Sequence, residues 1–155
     1  MLHFESRTFV VVLLKNHTAA GGLGAGLVAF CGATLERGVD IVIDAVGLPE
    51  RMAGAHLVIT GEGRLDGQTA CGKTPAGVSE VAGREGVPVI ALGGMVAADA
   101  DTLHQHGFDA LAAILTGPMT LQEAMAPERA REMVAFTAEQ MVRCFLAGRE
   151  SATGH

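Results

Sequence analysis

Short apolar runs alternate along this chain with longer stretches of helical pattern, and this alternation constrains the fold more than any other feature. Five runs have the character of strands: residues 8–14, 40–46, 55–60, 87–92 and 108–115. All but the first are apolar on both faces, which is typical of parallel strands covered by helices. Helical patterns lie between them, over residues 22–36, 75–85 and 97–106. The sequence therefore predicts an α/β fold, a three-layer unit with a mostly parallel, Rossmann-like sheet.

The C-terminal stretch is predicted to be helical. Thr120 and Glu123 have the spacing of a capping box, which begins a helix. Pro127 interrupts the pattern, so we expect either two helices or one kinked helix. One face of this region repeats at nearly four-residue steps, through Leu121, Met125, Met133, Thr137, Met141 and Phe145.

Composition excludes several classes of protein. The chain has 155 residues, enough for one domain, and a formal net charge of −6, which argues against a nucleic-acid or anionic-membrane surface. The apolar runs are too short to span a membrane. The three cysteines, Cys31, Cys71 and Cys144, are odd in number and widely spaced, as expected for reduced thiols in a cytoplasmic protein. A homo-oligomer stays compatible with the sequence.

The loop over residues 60–74 carries the chemistry. Parallel sheets bind ligands at the carboxyl ends of their strands, where we expect the loops 45–49, 61–74, 93–97 and 116–119. Carboxylates beside Arg and Lys suit phosphoryl transfer, since cations neutralise the moving phosphoryl group and a carboxylate serves Mg²⁺ or the proton of the attacking hydroxyl. The polar side chains of the long loop lie among glycines that free backbone N–H groups for an anion: Glu62, Arg64, Asp66, Gln68, Thr69 and Lys73.

Two nucleotide-binding patterns compete with this interpretation. Residues 67–74 fit the P-loop pattern GxxxxGKT, but six residues separate Gly67 from the strand predicted to end at Thr60, whereas a true P-loop follows its strand almost directly. Residues 24–29 fit the dinucleotide pattern GxGxxA, with Asp44 about 20 residues further on. The stretch between the first predicted strand and these glycines is too long for the tight turn, so an NAD-dependent oxidoreductase is the weaker alternative.

Several motifs in order resemble the glycerate kinase type-1 family of bacteria. The most specific are LVITGEGRLDGQT over residues 57–69 and GKTP over 72–75. The resemblance runs over residues 19–147, and it continues in AAGGLG (19–24), DIVIDAVGL (40–48), PVIALGG (88–94) and MTLQEAM (119–125). Residues 1–18 do not resemble the family, and residues 148–155 form a tail.

The resemblance implies ATP-dependent, Mg²⁺-assisted phosphorylation of D-glycerate to a phosphoglycerate, by a cytoplasmic two-domain α/β enzyme. Since family members are much longer at the N-terminus, this chain would correspond to the C-terminal part of such a kinase. A catalytically inactive module that binds a nucleotide or an anion is the alternative.

Roles for the loop residues follow from their charge and from the resemblance. Asp66 is expected nearest the attacking hydroxyl or Mg²⁺, with Glu62 as the alternative carboxylate. Arg64 and Lys73 would neutralise phosphoryl or carboxylate charge. The remaining residues are expected to position the substrate or nucleotide: Gln68, Thr69, Gly21, Gly22, Gly61, Gly63, Gly93 and Gly94.

Overall fold

A computed structural model describes residues 10–13, 23–70 and 72–153. The first half of the chain contains β1 (Val10–Leu13), α1 (Leu23–Cys31), β2 (Thr34–Arg37), α2 (Gly38–Val46), α3 (Leu48–Met52) and β3 (Val58–Leu65). The second half contains α4 (Thr74–Glu85), β4 (Val89–Val96), a 3₁₀ helix (Ala100–His106), β5 (Ala110–Ala113), α5 (Leu121–Ala124) and α6 (Pro127–Thr153).

All the described strands pair in parallel. β1 pairs with β2 in a two-stranded sheet, and β3, β4 and β5 form a three-stranded sheet in that order. Each parallel connection is made through helices, as parallel pairing requires. The α/β class with a parallel sheet is thereby confirmed.

The central strand β4 is buried on both faces. Val89 and Ala91 lie in a core cluster with Leu65 of β3 and Phe108, which precedes β5. Successive side chains of a strand point to opposite faces, so Ile90, which is also buried, faces the other side. The helices α4 and α6 both contact β4. Helices therefore pack against the buried central strand of the sheet.

The strand predicted over residues 40–46 is wrong, because this segment is the helix α2. All but one of its apolar residues are β-branched, and such residues favour strands in isolation. In the fold, Val39 and Ile43 are one helical turn apart, and both approach Gly77 of α4. A Cβ at Gly77 would lie 2.5 Å from a methyl carbon of Val39, so the absence of a side chain there allows the two helices to pack. Tertiary packing outweighs local propensity.

The helix predicted over residues 22–36 is too long. α1 ends at Cys31, and Gly32 follows with a φ of 62°, a left-handed conformation that glycine adopts without strain. The strand β2, which the sequence analysis did not predict, then begins at Thr34. The strand predicted over residues 8–14 is described only at Val10–Leu13.

The strands β3 and β4 both continue past their predicted ends. β3 runs to Leu65 rather than to residue 60, and β4 runs to Val96 rather than to residue 92. The two strands stay in register to the end, where Leu65 pairs with Val96. Both extensions contain glycines, which are typical of loops, and the predicted strands were therefore too short. In the fold, these glycines allow β3 and β4 to approach each other closely.

The C-terminal region forms two helices. Thr120 caps α5 in the predicted capping box with Glu123, and Pro127 is the first residue of α6, where its missing N–H costs nothing. Met133 and Thr137 are buried, but Leu121 and Met125 are 75% and 70% exposed, so only part of the predicted apolar face is covered. No helix in the described part of the chain combines the length and apolarity that crossing a membrane requires.

Candidate functional site

A cluster of charged side chains lies where β3 leads into α4. Glu62 and Arg64 are residues of β3, and Asp66 follows the last residue of that strand. Residues two apart in a strand share a face, so the three side chains project to the same side of the sheet. Lys73 reaches them from the other end of the loop, as the residue that caps the N-terminus of α4.

Lys73 lies between the two carboxylates. Its Nζ is 3.5 Å from Oε2 of Glu62 and 3.6 Å from Oδ1 of Asp66. The carboxylate side chains are 20% and 18% exposed, and the lysine side chain is 37% exposed. The three groups are therefore partly shielded from water, yet they remain open to a small ligand.

Arg64 extends the cluster toward solvent. Its Nε lies 3.2 Å from Oδ2 of Asp66, and its side chain is 58% exposed. The two oxygens of Asp66 thus face different cations, Lys73 on one side and Arg64 on the other. An anion bound beside Asp66 would lie near two positively charged side chains, those of Lys73 and Arg64.

The pKa of Asp66 lies below its usual value. Partial burial alone would raise it, but the hydrogen bond from the Gln68 backbone N–H and the positive charges of Lys73 and Arg64 outweigh that effect. The Gln68 N–H donates to Oδ1 over 3.0 Å, which closes a turn around the side chain. Asp66 is consequently held as a carboxylate at neutral pH.

Thr69 lies beneath the cluster and is fully buried. Its hydroxyl donates a hydrogen bond to Oε1 of Glu62 and accepts one of 3.1 Å from the backbone N–H of Asp66. Its own N–H donates to the carbonyl oxygen of Asp66 over 2.9 Å. From the buried side of the cluster, Thr69 therefore links Glu62 in β3 to the turn at Asp66.

Three of the glycines in and beside the site are required by packing. A Cβ on Gly61 would lie 2.5 Å from the carbonyl oxygen of Leu92, and one on Gly94 would lie 2.6 Å from that of Gly63. At Gly93 it would lie 2.7 Å from the carbonyl oxygen of Met95. A side chain at Gly61 or Gly94 would push β3 and β4 apart, and one at Gly93 would clash with the backbone of β4 itself.

Gly63 differs from these three, because nothing lies within 4 Å of the place where its Cβ would be. It is exposed, and its neighbours in sequence are Glu62 and Arg64. Of the four glycines of β3 and β4 named for binding, Gly63 is the one that leaves room for a ligand to approach the backbone.

The hydrogen bonds at the start of the loop, rather than the predicted spacing, argue against the P-loop interpretation. β3 ends two residues before Gly67 and α4 begins directly after Lys73, so the order strand, loop, helix is present. In a P-loop, however, the backbone N–H groups of the loop hold phosphate. Here the first two of those groups are engaged within the protein, since Gly67 donates to Asp99 and Gln68 to the Asp66 side chain.

The dinucleotide interpretation also fails on geometry. Gly24 and Gly26 lie inside α1, not in a turn between a strand and a helix, and Asp44 belongs to α2. Gly21, Gly22 and Cys71 lie outside the described residues, so the predicted binding role of the first two stays a prediction.

Asp99 is a site residue that the sequence analysis missed. It follows β4, and its Oδ2 accepts a hydrogen bond of 3.2 Å from the N–H of Gly67. Its position could have indicated a role in the site, because Asp99 lies near the start of a predicted helix and close to the carboxyl end of a strand. Its carboxylate ties the loop after β3 to the segment after β4.

The loop after β5 lines a separate cavity of about 430 Å³. Its lining residues are Pro118, Met119, Glu123, Ala126 and Arg129, at the start of α5 and α6. The predicted ligand-binding loop 116–119 therefore borders open space, but the charged cluster lies after β3 instead.

As ligands for Mg²⁺, the cluster offers only the oxygen atoms of two carboxylates. Within residues 10–13, 23–70 and 72–153, no three side chains of His, Cys, Asp or Glu converge as a metal site would require. Mg²⁺ is commonly held by one or two carboxylates, with phosphate oxygens and water completing its coordination. Asp66 and Glu62 supply such carboxylates, although Lys73 lies between them.

The fold and the cluster define an α/β protein with an ionic site at the carboxyl end of parallel strands. The model of the glycerate kinase family matches residues 5–146, so it includes most of residues 1–18, where no resemblance was expected. The chain belongs to this family.

Individual relatives agree with the family assignment. The chain is 45% identical over 123 residues to a glycerate kinase of Bacillus cereus, covering 79% of this chain and 32% of the relative. It is 49% identical over 106 residues to a glycerate 2-kinase of Escherichia coli K12, covering 68% of this chain and 28% of that one. The chain thus spans about a third of the length of the curated relatives it matches.

A solved structure matches the fold as well. It is the crystal structure of a protein from Salmonella typhimurium LT2 provisionally named glycerate kinase 2. The TM-score is 0.59 at 43% sequence identity, over 84% of this chain and 32% of that one.

Proposed function

We propose that this chain provides a phosphoryl-transfer site of an ATP-dependent glycerate kinase, with D-glycerate as the substrate. The observation that carries the proposal is the placement of Lys73 between the carboxylates of Glu62 and Asp66, in a member of the glycerate kinase family. Phosphoryl transfer depends chiefly on positioning and on charge stabilisation, and this cluster offers both.

In the proposed reaction, a hydroxyl oxygen of glycerate forms a bond to the γ-phosphorus of ATP. The bond from that phosphorus to the bridging oxygen breaks, ADP leaves, and the hydroxyl proton passes to a carboxylate of the protein. Asp66 is our candidate acceptor of that proton, with Glu62 as the alternative. One relative is named a glycerate 2-kinase, which makes the hydroxyl at the second carbon the first to examine.

The cations would act on the phosphoryl group and on the substrate carboxylate. Lys73 is fixed by two contacts and suits a phosphoryl oxygen, whereas the more exposed Arg64 can pair with a carboxylate through two N–H groups. Mg²⁺, when bound, would neutralise charge on the phosphate oxygens, and Asp66 or Glu62 would hold it. Glycine at position 63 leaves the backbone open beside these groups.

The test is turnover by the purified chain with ATP, Mg²⁺ and D-glycerate, followed as ADP release. We expect Asp66→Ala to lower the rate on the order of 100-fold or more, as loss of a positioned proton acceptor does. Glu139→Ala, which removes an exposed carboxylate of α6, is the control and should leave the rate unchanged. Equal rates in the wild type and Asp66→Ala would remove Asp66 from the mechanism.

The second candidate function is binding without catalysis. It is favoured by the fact that the chain spans about a third of the length of its relatives. Calorimetric titration with ATP and Mg²⁺ separates the two, because the inactive module would bind nucleotide or anion while releasing no ADP. Cytoplasmic location and the oligomeric state stay predictions.

A further inference from the structure

Thr69 occupies an unusual place for a residue of a ligand-binding loop, because it is fully buried below the site. A ligand at the exposed side of the cluster would meet Lys73, Arg64 or Gly63 first. The hydroxyl of Thr69 is engaged in both directions, toward Glu62 as donor and toward the Asp66 N–H as acceptor. Its contribution must therefore pass through those neighbours.

The contact with Glu62 determines where the carboxylate points. Oε1 accepts the hydrogen bond from Thr69, which leaves Oε2 directed at Lys73, 3.5 Å from Nζ. Lys73 has a long side chain with several rotatable bonds, and fixing it carries an entropic cost. A carboxylate that is already held in place reduces the disorder of the lysine that pairs with it.

The contact with Asp66 fixes the second side of the cluster. The Asp66 N–H donates to the Thr69 hydroxyl over 3.1 Å, and the Thr69 N–H returns a bond of 2.9 Å to the Asp66 carbonyl. This closed pair holds the turn from which the Asp66 carboxylate reaches Lys73 at 3.6 Å. One buried hydroxyl thus contacts the carboxylate of Glu62 and the backbone of Asp66, the two residues whose carboxylates face the ammonium group.

We propose that Thr69 is a positioning residue, whose hydroxyl sets the place of the Lys73 ammonium group by orienting Glu62 and the turn at Asp66. Its consequence for catalysis rests on the proposed function, but the placement of Lys73 does not. The requirement is for a hydroxyl, so Ser can replace Thr, whereas Val fills the space and leaves Glu62 and the Asp66 N–H without this partner.

Lysine acetylation measures the placement of Lys73 directly. The chain has two lysines, Lys15 and Lys73, so mass spectrometry of a digest made without trypsin distinguishes the labelled peptides. Limited acetylation in the absence of ATP and glycerate should label Lys73 slowly in the wild type, because its ammonium group is paired with two carboxylates. Each protein is first checked by circular dichroism.

We expect Thr69→Val to raise the labelling rate of Lys73 relative to Lys15 by about two- to fivefold, the size expected for loss of one partly exposed ion pair. Thr69→Ser should keep the wild-type ratio. Thr137→Val, which changes a buried threonine of α6 away from the cluster, is the matched control and should also keep it. An unchanged ratio in folded Thr69→Val, or an equal rise in Thr69→Ser, would overturn the proposal.

Glu62→Gln decides the matter if Thr69→Val does not fold. Replacing the carboxylate by an amide removes the charge that faces Lys73, so the labelling ratio should rise by a similar factor. No rise would mean that Glu62 does not hold the lysine, and the positioning role would be lost with it. Since labelling needs no turnover, a chain that releases no ADP contradicts the proposed function and leaves this inference standing.

Discussion

Asp66 is held by more contacts than any other acidic residue of the site. Its Oδ1 accepts from the Gln68 N–H and faces Lys73, while Oδ2 faces Arg64. These contacts favour the charged form and lower the pKa of the carboxyl, against the opposing effect of partial burial. A group that is ionised in the fold more readily than in the unfolded chain contributes to stability.

The resulting pH dependence has a definite sign. Because the folded pKa of Asp66 lies below its unfolded value, its contribution is full above about pH 4, the usual range of an aspartate, and fades as pH falls through the folded pKa. We expect Asp66→Asn to destabilise the protein at pH 7 and the difference to shrink on acidification below that range. Urea unfolding of both proteins across pH 3 to 7 measures this, and a difference that grows toward low pH would contradict it.

Gly63 of β3 and Gly94 of β4 lie on adjacent strands, and the effect of adding a side chain can be compared at the two positions. A Cβ at Gly94 would lie 2.6 Å from the Gly63 carbonyl oxygen, whereas one at Gly63 would meet nothing within 4 Å. We expect Gly94→Ala to lower the free energy of unfolding by about 1–3 kcal/mol, as overpacking does. Gly63→Ala should change it by less than about 0.5 kcal/mol. Chemical denaturation checks both, and equal effects would show that strand packing is not the cause.

At the scale of elements, Arg37 joins the end of β2 to α2 and α4. Its guanidinium contacts Asp40 at 2.7 and 2.8 Å and Glu80 at 2.6 and 2.8 Å, with two hydrogen bonds to each carboxylate. The hydrogen bonds from Arg37 lower the pKa of Glu80, despite the opposing effect of burial. Planar, paired recognition of this kind suits arginine and not lysine.

We therefore expect Arg37→Lys to destabilise the fold by about 0.5–1 kcal/mol, a modest figure because the side chains are 41–47% exposed and screened by water. The difference should decrease in 1 M salt. It should also fade as pH falls through the lowered pKa of Glu80. Arg143→Lys is the control, since Arg143 pairs with Glu139 within one helix, and thermal unfolding should show a smaller change. A salt-independent loss would point to packing instead.

The sequence predicts an element well when its local residue pattern agrees with its packing environment in the fold. The helix α4 lies at its predicted position, 75–85, and the buried half of β4 lies within its predicted range, 87–92, although the strand runs on to Val96. The segment 40–46 was misassigned because β-branched residues dominate it, although Asp40 and Asp44 already had the four-residue spacing of a helix face. Contacts with α4 decide that case, and no local pattern contains them.

The candidate site also has a part that the sequence predicts and a part that depends on the folded loop. Charge type marked Glu62, Arg64 and Asp66 as candidate site residues, so their membership of the cluster could be predicted. They were expected in a loop, however, and their common face follows from the continuation of β3 to Leu65. The return of Lys73 to these residues depends on the loop conformation. The burial of Thr69 and the contact from Asp99 depend on it too. The roles of these residues in binding or catalysis stay predictions.

At the scale of the whole molecule, burial is concentrated around β4. Its residues from Val89 to Gly93 are all buried, while large apolar side chains elsewhere stay exposed. Phe30 of α1 is 89% exposed, and Leu121 and Phe136 near the C-terminus are 75% and 55% exposed. The chain spans about a third of the length of its relatives, and its strand β4 is paired on both edges.

This distribution predicts an ordering of local stability that hydrogen exchange can measure. Backbone amides exchange slowly where opening requires loss of buried apolar contacts, and quickly where a helix is exposed. Amides of β4 should therefore exchange slowest, near the rate set by global unfolding. Those of residues 143–153 in α6 should exchange much faster, because this segment is mostly exposed. Exchange followed by mass spectrometry on peptides covering residues 89–96 and 143–153 tests the order. Gly94→Ala should accelerate exchange in the first peptide far more than Gly63→Ala, since only the former forces β3 and β4 apart. Equal protection of the two peptides in the wild type would mean that α6 is stabilised by contacts other than those with β4.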